Sequence, residues 1–440
     1  MNLLSFRGGV HPPHHKEATE KLKVEKALDP EVVTIALQQH IGAPCEAIVK
    51  VKDQVKVGQK IGEAKAFVSA PIHSSVSGIV KKITKMKTPT GEAECIVIES
   101  DGLNELHESV TPKGEIENLS AKELLSIVKE AGIVGMGGAA FPTHVKLSPP
   151  PDKKIDTIIL NGAECEPYLT ADHRLMLENP ESVVHGLKAM MKIVDVHQAY
   201  IGIESNKPDA IECMIKATKD EPEIKVVGLH TKYPQGAEKQ LIYACTKREV
   251  PSGGLPMEAH VIVNNVGTAA AISDVIKTGM PLIERIATIT GKGIKEPKNL
   301  LIKIGTSFKE IIEQCGGYNG TPGKLLMGGP MMGLAQYTDE IPAIKGTSGI
   351  LILSPEEARL PEPQSCIKCG KCVEICPAFL QPVYISAYAL KGMNDKAEGY
   401  RALDCIECGS CSFICPSKRP LLHSIRVAKR EIIANKKKNK

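Results

Sequence analysis

Aromatic residues are scarce in this sequence: tryptophan is absent, and aromatics together make up 3% of the 440 residues. Surfaces that bind single-stranded nucleic acid stack bases on aromatic side chains, and a formal charge of +4 is too small to attract a polyanion. The sequence therefore argues against a nucleic-acid partner. The first residues also lack the apolar core and cleavage site of a signal peptide, so we expect a cytosolic chain.

Long hydrophobic runs are missing as well. The most apolar stretch, 261–290, is interrupted by Asp274, Lys277 and Glu284, whereas a membrane-spanning helix needs about 20 consecutive apolar residues. Any membrane association is therefore expected to be peripheral.

The length predicts about three domains at roughly 150 residues each, and the 42% share of hydrophobic residues is enough to give each a core.

Cysteine, in contrast, is abundant, with 14 residues. A reducing compartment does not preserve disulfides, so metal chemistry is the first explanation for the spacing. Two sets of four follow the pattern C-x2-C-x2-C-x3-C-P of bacterial two-cluster ferredoxins, in which the fourth cysteine of each set serves the other cluster. We therefore predict two [4Fe-4S] clusters, one held by Cys366, Cys369, Cys372 and Cys415 and the other by Cys405, Cys408, Cys411 and Cys376.

A pair of zinc sites is the alternative for these eight cysteines. Zinc ligands usually come in pairs, and zinc gives no reason for two quartets that each end in Cys-Pro. The other six cysteines form no C-x-x-C pair, and such residues are commonly small buried apolar side chains. We expect all of them except Cys165 to be buried, because Cys165 lies in a loop with polar residues. The six are Cys45, Cys95, Cys165, Cys213, Cys245 and Cys315.

Helical and extended patterns alternate between residues 121 and 229. Apolar segments at 155–160, 199–203 and 224–229 predict strands, and the segments 183–194 and 210–217 have helical periodicity. This alternation is typical of an α/β domain with a largely parallel sheet. Such sheets bind ligands at the carboxyl ends of their strands, so the loops there are the candidate sites.

The first candidate is a glycine-rich loop. Gly135, Gly137 and Ala140 match G-x-G-x-x-A, but a helical segment precedes them where the dinucleotide fingerprint has a strand. Glycine amides could still surround an anion, and Lys146 could add a positive charge for a phosphate. An ordinary glycine-rich turn is the alternative.

The second candidate follows the strand predicted at 155–160 and runs from Asn161 to Tyr168. Its two acids and its asparagine offer donors and acceptors that suit a flavin edge or ribose hydroxyls. A solvent-exposed turn is the alternative.

Three segments in the same order resemble the flavin and NADH motifs of the flavoprotein subunit of respiratory complex I. They are 135–146, 161–167 and 264–268. The opening segment 6–13, Phe-Arg-Gly-Gly-Val-His-Pro-Pro, and the double ferredoxin motif narrow the resemblance to the C subunits of Rnf complexes, which are ion-translocating ferredoxin:NAD oxidoreductases. The similarity covers essentially the whole chain.

The resemblance implies that NADH gives a hydride to FMN and that single electrons then pass through the two clusters, in either direction. Ala163 and Ala237 depart from the complex I pattern, which has acids at both positions. Glu238 corresponds to an acidic residue of the flavin site, and Phe141 and Glu166 would contact NADH. The FMN contacts implied are Gly135, Gly137, Gly138, Lys146, Asn161, Glu164, Asn264, Asn265 and Thr268.

Partners and location also follow from the resemblance. Membrane-embedded and ferredoxin-like subunits of the same complex are expected, with ferredoxin reached indirectly, at the cytoplasmic face of the cell membrane. Two alternatives are a cobalamin reductase of similar build and a cluster-carrying scaffold that has lost its flavin.

The expected fold is multidomain α/β. Its parts are a barrel-sandwich hybrid like lipoyl carriers (1–115), a Rossmann-like FMN/NADH domain (116–255), a β-grasp soluble-ligand-binding module (256–354), a two-cluster ferredoxin-type helical domain (355–425) and a basic tail (426–440). Lys65 does not have the spacing of a carrier lysine, so we expect it to be unmodified. His11, His14 and His15 are expected in a turn rather than at a metal.

Overall fold

The computed structural model describes residues 2–438 and begins with a small β-domain. Two antiparallel sheets, in the orders β2-β8-β7-β4 and β3-β5-β6, enclose its core. Val33 faces Ile98 and Ile35 faces Ile96 across neighbouring strands, and all four side chains are buried. This confirms the barrel-sandwich prediction. The strands of the two sheets are β2 (Val32–Ala36), β3 (Glu46–Ala47), β4 (Gln54–Val55), β5 (Lys60–Glu63), β6 (Ile72–His73), β7 (Gly78–Thr88) and β8 (Gly91–Ser100). A short strand, β1 (Val24–Lys26), precedes them and belongs to another sheet.

The α/β domain follows. It contains α1 (Ala121–Glu130), α2 (Thr143–Lys146), β9 (Thr157–Gly162), α3 (Ala171–Glu178), α4 (Pro180–Val194), β10 (Ala199–Glu204), α5 (Pro208–Ala217), β11 (Ile224–Leu229), α6 (Glu238–Thr246), β12 (Val261–Asn265) and α7 (Val266–Thr278). The strands are parallel in the order β11-β10-β9-β12. The predicted strands and helices of this region are confirmed. The winding reverses at β9, and α/β sheets bind ligands at such a switch point.

The predicted boundary after residue 255 is wrong. β12 pairs with β9 along Val261–Asn265, and α7 packs closely against α4. The α/β domain therefore continues to Thr278. The loop between α6 and β12 is long and rich in glycine and proline, which resembles a linker in sequence although it connects two elements of one domain.

The next sheet is a β-grasp, as predicted. Its order is β1-β14-β13-β17-β15-β16, with the central pair β13 and β17 parallel. β1 joins this sheet from the amino-terminal region by pairing with β14. The elements are β13 (Glu284–Thr290), β14 (Lys298–Lys303), α8 (Phe308–Gln314), β15 (Lys324–Met327), β16 (Leu334–Gln336) and β17 (Gly349–Leu353).

The carboxyl-terminal domain is helical. Its helices are α9 (Pro355–Ala358), α10 (Lys371–Glu374), α11 (Pro382–Ala389), α12 (Asn394–Gly399), α13 (Ser410–Ile414) and α14 (Leu421–Lys438). The prediction of a basic tail from residue 426 is wrong for the part described, because Ile425, Ala428 and Ile432 form a buried stripe on α14. Asn439 and Lys440 lie outside the described residues.

Membrane-spanning helices were not expected. Within residues 2–438, no helix is both long enough and apolar enough to cross a bilayer.

Candidate functional site

The glycine loop 135–141 is held firmly at the beginning of α7. The amide of Gly135 donates to the carbonyl of Phe141, which is half-buried, at 2.9 Å. The amide of Met136 donates to the hydroxyl of Thr268 at 3.0 Å. From the β-grasp sheet, the buried guanidinium of Arg285 reaches the carbonyl of Met136 at 3.5 Å. A Cβ added at Gly138 would meet nothing within 4 Å, so the tip of the loop borders open space.

Two asparagines connect this loop to the strand ends. Asn161 and Asn265 are neighbours across β9 and β12. The Asn161 amide donates to the carbonyl of Gly236 at 2.8 Å, while Asn265 accepts from the Gly267 amide at 2.8 Å and caps α7. A Cβ at Gly137 would lie 2.7 Å from Asn265, so the loop packs directly on this cap. The three motifs therefore meet at the switch point of the sheet.

Asn264 carries the clearest sign of a ligand. Its side chain is 3% exposed, yet neither its amide nitrogen nor its amide oxygen has a hydrogen-bond partner among the described residues. An unpaired buried amide costs free energy. A ligand with adjacent donor and acceptor groups would remove that cost, and the ring edge of a flavin offers both. The residues present therefore fit FMN.

Lys146 and Glu238 form an ion pair beside Asn264. The ammonium group lies 2.9 Å from the Glu238 carboxylate and donates to the carbonyl of Val263 at 2.8 Å. Both side chains remain partly exposed. The structure thus brings together the two charged residues expected at the flavin site, and the lysine remains within reach of an entering anion.

The side-chain carboxylates of Glu164 and Glu166 accept hydrogen bonds from backbone amides. The Glu164 carboxylate accepts from Asp172 at 2.7 Å and His173 at 3.2 Å, in the first turn of α3. Burial, with the charge of Glu164, raises the pKa of Asp172 to about 7. Glu166 accepts from Met331 at 3.0 Å and from the residue after it at 2.8 Å, in the loop that follows β15.

Glu166 therefore lies at the contact between the α/β domain and the β-grasp. Burial raises its pKa to about 7. A Cβ at Gly329 would lie 2.2 Å from its carboxylate, which shows how closely the β-grasp loop covers it. The NADH contacts expected of Glu166 and Phe141 stay predictions.

Two buried lysines that the sequence did not indicate support the loop after β9. Lys16 donates to the carbonyls of Glu164 and Glu166, each at 2.9 Å, and to that of Leu169. Lys207 donates to the carbonyl of Ala163 at 2.7 Å. No local pattern marks a lysine as buried, so only the tertiary structure reveals these two.

Four of the eight cluster cysteines gather around one cavity. Cys376, Cys405, Cys408 and Cys411 line one small cavity. Burial raises the pKa of Cys405 to about 11 and that of Cys411 to about 12, so their protons must leave when iron binds. Four thiols around one cavity fit a [4Fe-4S] cluster.

The second set is more exposed. Burial raises the pKa of Cys372, and the nearby thiols of Cys415 and Cys369 raise it further. Cys366 and Cys369 are exposed. Nowhere between residues 2 and 438 do three His, Cys, Asp or Glu side chains approach as closely as a single metal ion requires. A cubane instead needs its thiolates spread apart, because each binds a different iron.

The buried cysteine set lies against the α/β domain. Cys408 shares an apolar cluster with Cys165 of the loop after β9, and with Tyr233 and Val10. The Gln240 amide donates to the carbonyl of Pro377, directly after Cys376, at 3.0 Å. The loop after β9 and the cavity lined by the buried cysteine set are therefore neighbours in the fold.

Other singled-out residues have structural surroundings. His15 stacks on Tyr168 with 4.7 Å between ring centres, and the carbonyl of His14 accepts from the Tyr168 amide at 2.8 Å. Lys65 is exposed and pairs with Glu46. Five of the six scattered cysteines were expected to be buried. Cys45, Cys95 and Cys315 are buried, whereas Cys213 and Cys245 are only partly buried.

Four family models match successive parts of the chain. They are described as RnfC barrel sandwich hybrid domain (residues 4–103), Nuo51 FMN-binding domain (128–274), SLBB domain (286–335) and 4Fe-4S dicluster domain (359–416). The second includes β12 and most of α7, which agrees with the extent of the α/β domain. The FMN and [4Fe-4S] cofactors thus have matching domains in this chain.

Curated relatives match over nearly the full length. The C subunit of the Na(+)-translocating ferredoxin:NAD(+) oxidoreductase complex of Acetobacterium woodii is 54% identical over 99% of this chain and 98% of its own length. The C subunit of the proton-translocating ferredoxin:NAD(+) oxidoreductase complex of Clostridium ljungdahlii is 53% identical over 98% and 94%. The C subunit of the ion-translocating oxidoreductase complex of Rhodobacter capsulatus is 41% identical over 88% and 75%.

Proposed function

This chain belongs to the family of C subunits of ion-translocating ferredoxin:NAD(+) oxidoreductase complexes, and from that we propose that electrons enter the complex here from NADH. FMN, when bound, supplies the exchange between a hydride and two single electrons. The residues proposed to hold it are the nine FMN contacts that the resemblance implied together with Glu238, with Asn264 and Lys146 as the principal contacts. Phe141 and Glu166 are proposed to contact NADH.

The observation that carries this proposal is that Cys408 and Cys165 belong to one apolar cluster, which is built around Tyr233 and Val10. It joins the loop after β9, where the flavin site lies, to the cavity lined by Cys376, Cys405, Cys408 and Cys411. We therefore assign the buried set to the cluster nearest the flavin. The set with exposed Cys366 and Cys369 is the cluster nearest the partner, because a partner protein can approach only exposed ligands closely.

The partners are the other subunits of the complex, membrane-embedded and ferredoxin-like, and ferredoxin itself is reached through them. We place the chain at the cytoplasmic face of the cell membrane, attached through those subunits. The β-grasp serves as a support for the α/β domain, since Arg285 holds the glycine loop from the β-grasp side.

Anaerobic purification followed by cofactor analysis tests this function. One FMN and about eight irons per chain are expected, and NADH should bleach the absorbance of both. Eight irons without flavin would instead support a scaffold. Corrinoid reduction by the isolated chain, at rates that need no membrane subunits, would favour a cobalamin reductase.

Asn264→Leu should separate ligand binding from folding. The substitution removes a buried amide that has no partner, so the protein without FMN should unfold at the same or a higher denaturant concentration. FMN binding should weaken by about tenfold, equal to about 1.4 kcal/mol for lost hydrogen bonds. Fluorescence titration of FMN and denaturant unfolding measure the two effects.

Asn265→Leu is the contrasting variant at the neighbouring residue, because the Asn265 side chain already has partners within the protein. Asn265 caps α7 and donates to Asp172 at 2.6 Å, so its loss should lower the stability of the protein with or without FMN, by about 1–2 kcal/mol. Wild-type FMN affinity in Asn264→Leu would contradict the role given to Asn264.

A further inference from the structure

Lys16 is a buried cation without a carboxylate partner. No Asp or Glu oxygen in the described part of the chain lies within ion-pair distance of the Lys16 ammonium nitrogen. The residue as a whole is 4% exposed. Instead it donates to the carbonyls of Glu164, Glu166 and Leu169. Three acceptors match the three donors of an ammonium group. A charge buried against neutral groups is costly, so it calls for a reason.

Lys207 makes a similar contact with the carbonyl that lies one residue earlier in the same loop. It is 1% exposed and donates to the carbonyl of Ala163 at 2.7 Å and to the Asn206 side chain at 2.9 Å. Glu204 lies 3.6 Å away and balances part of its charge. Two successive carbonyls of the loop, those of residues 163 and 164, therefore point at lysines.

The amides that follow these carbonyls are free. In a planar trans peptide, the N–H points opposite to the preceding C=O. The amides of Glu164 and Cys165 must then point away from the two lysines, and neither has an acceptor in residues 2–438. Glu164 has a left-handed backbone with φ 45°, and successive amides around such a residue form a concave anion-binding nest.

We propose that Lys16 and Lys207 are positioning residues, which fix the amides of Glu164 and Cys165 toward the negative charge that FMN acquires when reduced. This inference rests on the proposed function. The side chain of Glu164 does not compete for these amides, because its carboxylate is held by the α3 amides of Asp172 and His173. The two lysines also add positive charge behind the loop, and Lys207 contacts the carbonyl of Ala163, the residue that replaces an acid of the complex I pattern.

The test measures the flavin rather than turnover. Sulfite adds reversibly to oxidised flavin when the lone pair of its sulfur forms a bond to N5. The π electron pair of the flavin C4a=N5 bond is displaced into the ring, which then carries negative charge. Lys16→Met in the holoprotein should raise the sulfite Kd about tenfold and lower the two-electron FMN midpoint potential by the matching amount, about 30 mV. Lys65→Met, at an exposed lysine of the barrel-sandwich domain, should change neither value.

Lys207→Gln provides a second variant if Lys16→Met does not fold. It keeps a hydrogen-bond donor for Ala163 but removes the charge, and the same direction of change is expected. Unchanged sulfite Kd and midpoint potential in the variants, with one FMN and eight irons retained, would overturn this inference alone. FMN missing from the unsubstituted protein would overturn the proposed function instead.

Discussion

Cys408→Ala should remove the cluster nearest the flavin and lower the iron content from about eight towards four atoms per chain. Cys408 is a buried member of the set that lines the cavity with Cys376, Cys405 and Cys411. NADH should still bleach the flavin of this variant. The remaining cluster, which lies farther from the flavin, should no longer be reduced on the time scale of the unsubstituted protein.

Cys369→Ala is the matched control for this prediction. Cys369 is exposed and belongs to the other set, so the variant should also lose iron while NADH still reduces the flavin and the buried cluster. Iron analysis with rapid-mixing absorbance spectroscopy distinguishes the two variants. A Cys408→Ala protein with eight irons would contradict the ligand assignment, and equal kinetics in both variants would contradict the order of the clusters.

The cluster domain and the strands of the α/β domain could be predicted because their signals are local. The spacing of the cysteines restricts which sulfurs can share a cluster, and apolar runs such as 155–160 mark buried strands. Asn161, Asn264 and Lys146 could be found from their motifs. Each of these signals is contained within a short stretch of the sequence.

Features that depend on distant pairing were not predictable in this way. β1 joins β14, with Val24 opposite Asn299, and Lys16 reaches a loop about 150 residues away. Their local sequences carry no sign of those partners. The domain boundary predicted in the loop before β12 was wrong for the opposite reason. The glycines and prolines of this loop are a local signal that is typical of a linker, but the strand after the loop completes the sheet of the α/β domain.

The structure also explains a glycine that sequence propensity alone disfavours. Gly186 lies within α4, where glycine costs about 1 kcal/mol relative to alanine. A Cβ at this position would lie 1.8 Å from the carbonyl oxygen of Ala269 in α7. The absence of a side chain therefore allows α4 to contact the backbone of α7, the helix that Asn265 caps and whose first turn contains Thr268.

Gly186→Ala should therefore destabilise the protein despite the gain in helix propensity. Overpacking against a backbone atom costs about 3 kcal/mol or more, which exceeds the gain of about 1 kcal/mol from alanine. Because α7 must move, FMN affinity should fall as well, as denaturant unfolding and FMN titration would measure. Gly399→Ala, at the end of α12 where a Cβ meets nothing within 4 Å, should leave both unchanged or raise stability slightly. If Gly186→Ala behaved like this control, the close contact of α4 with α7 would not be what positions the flavin site.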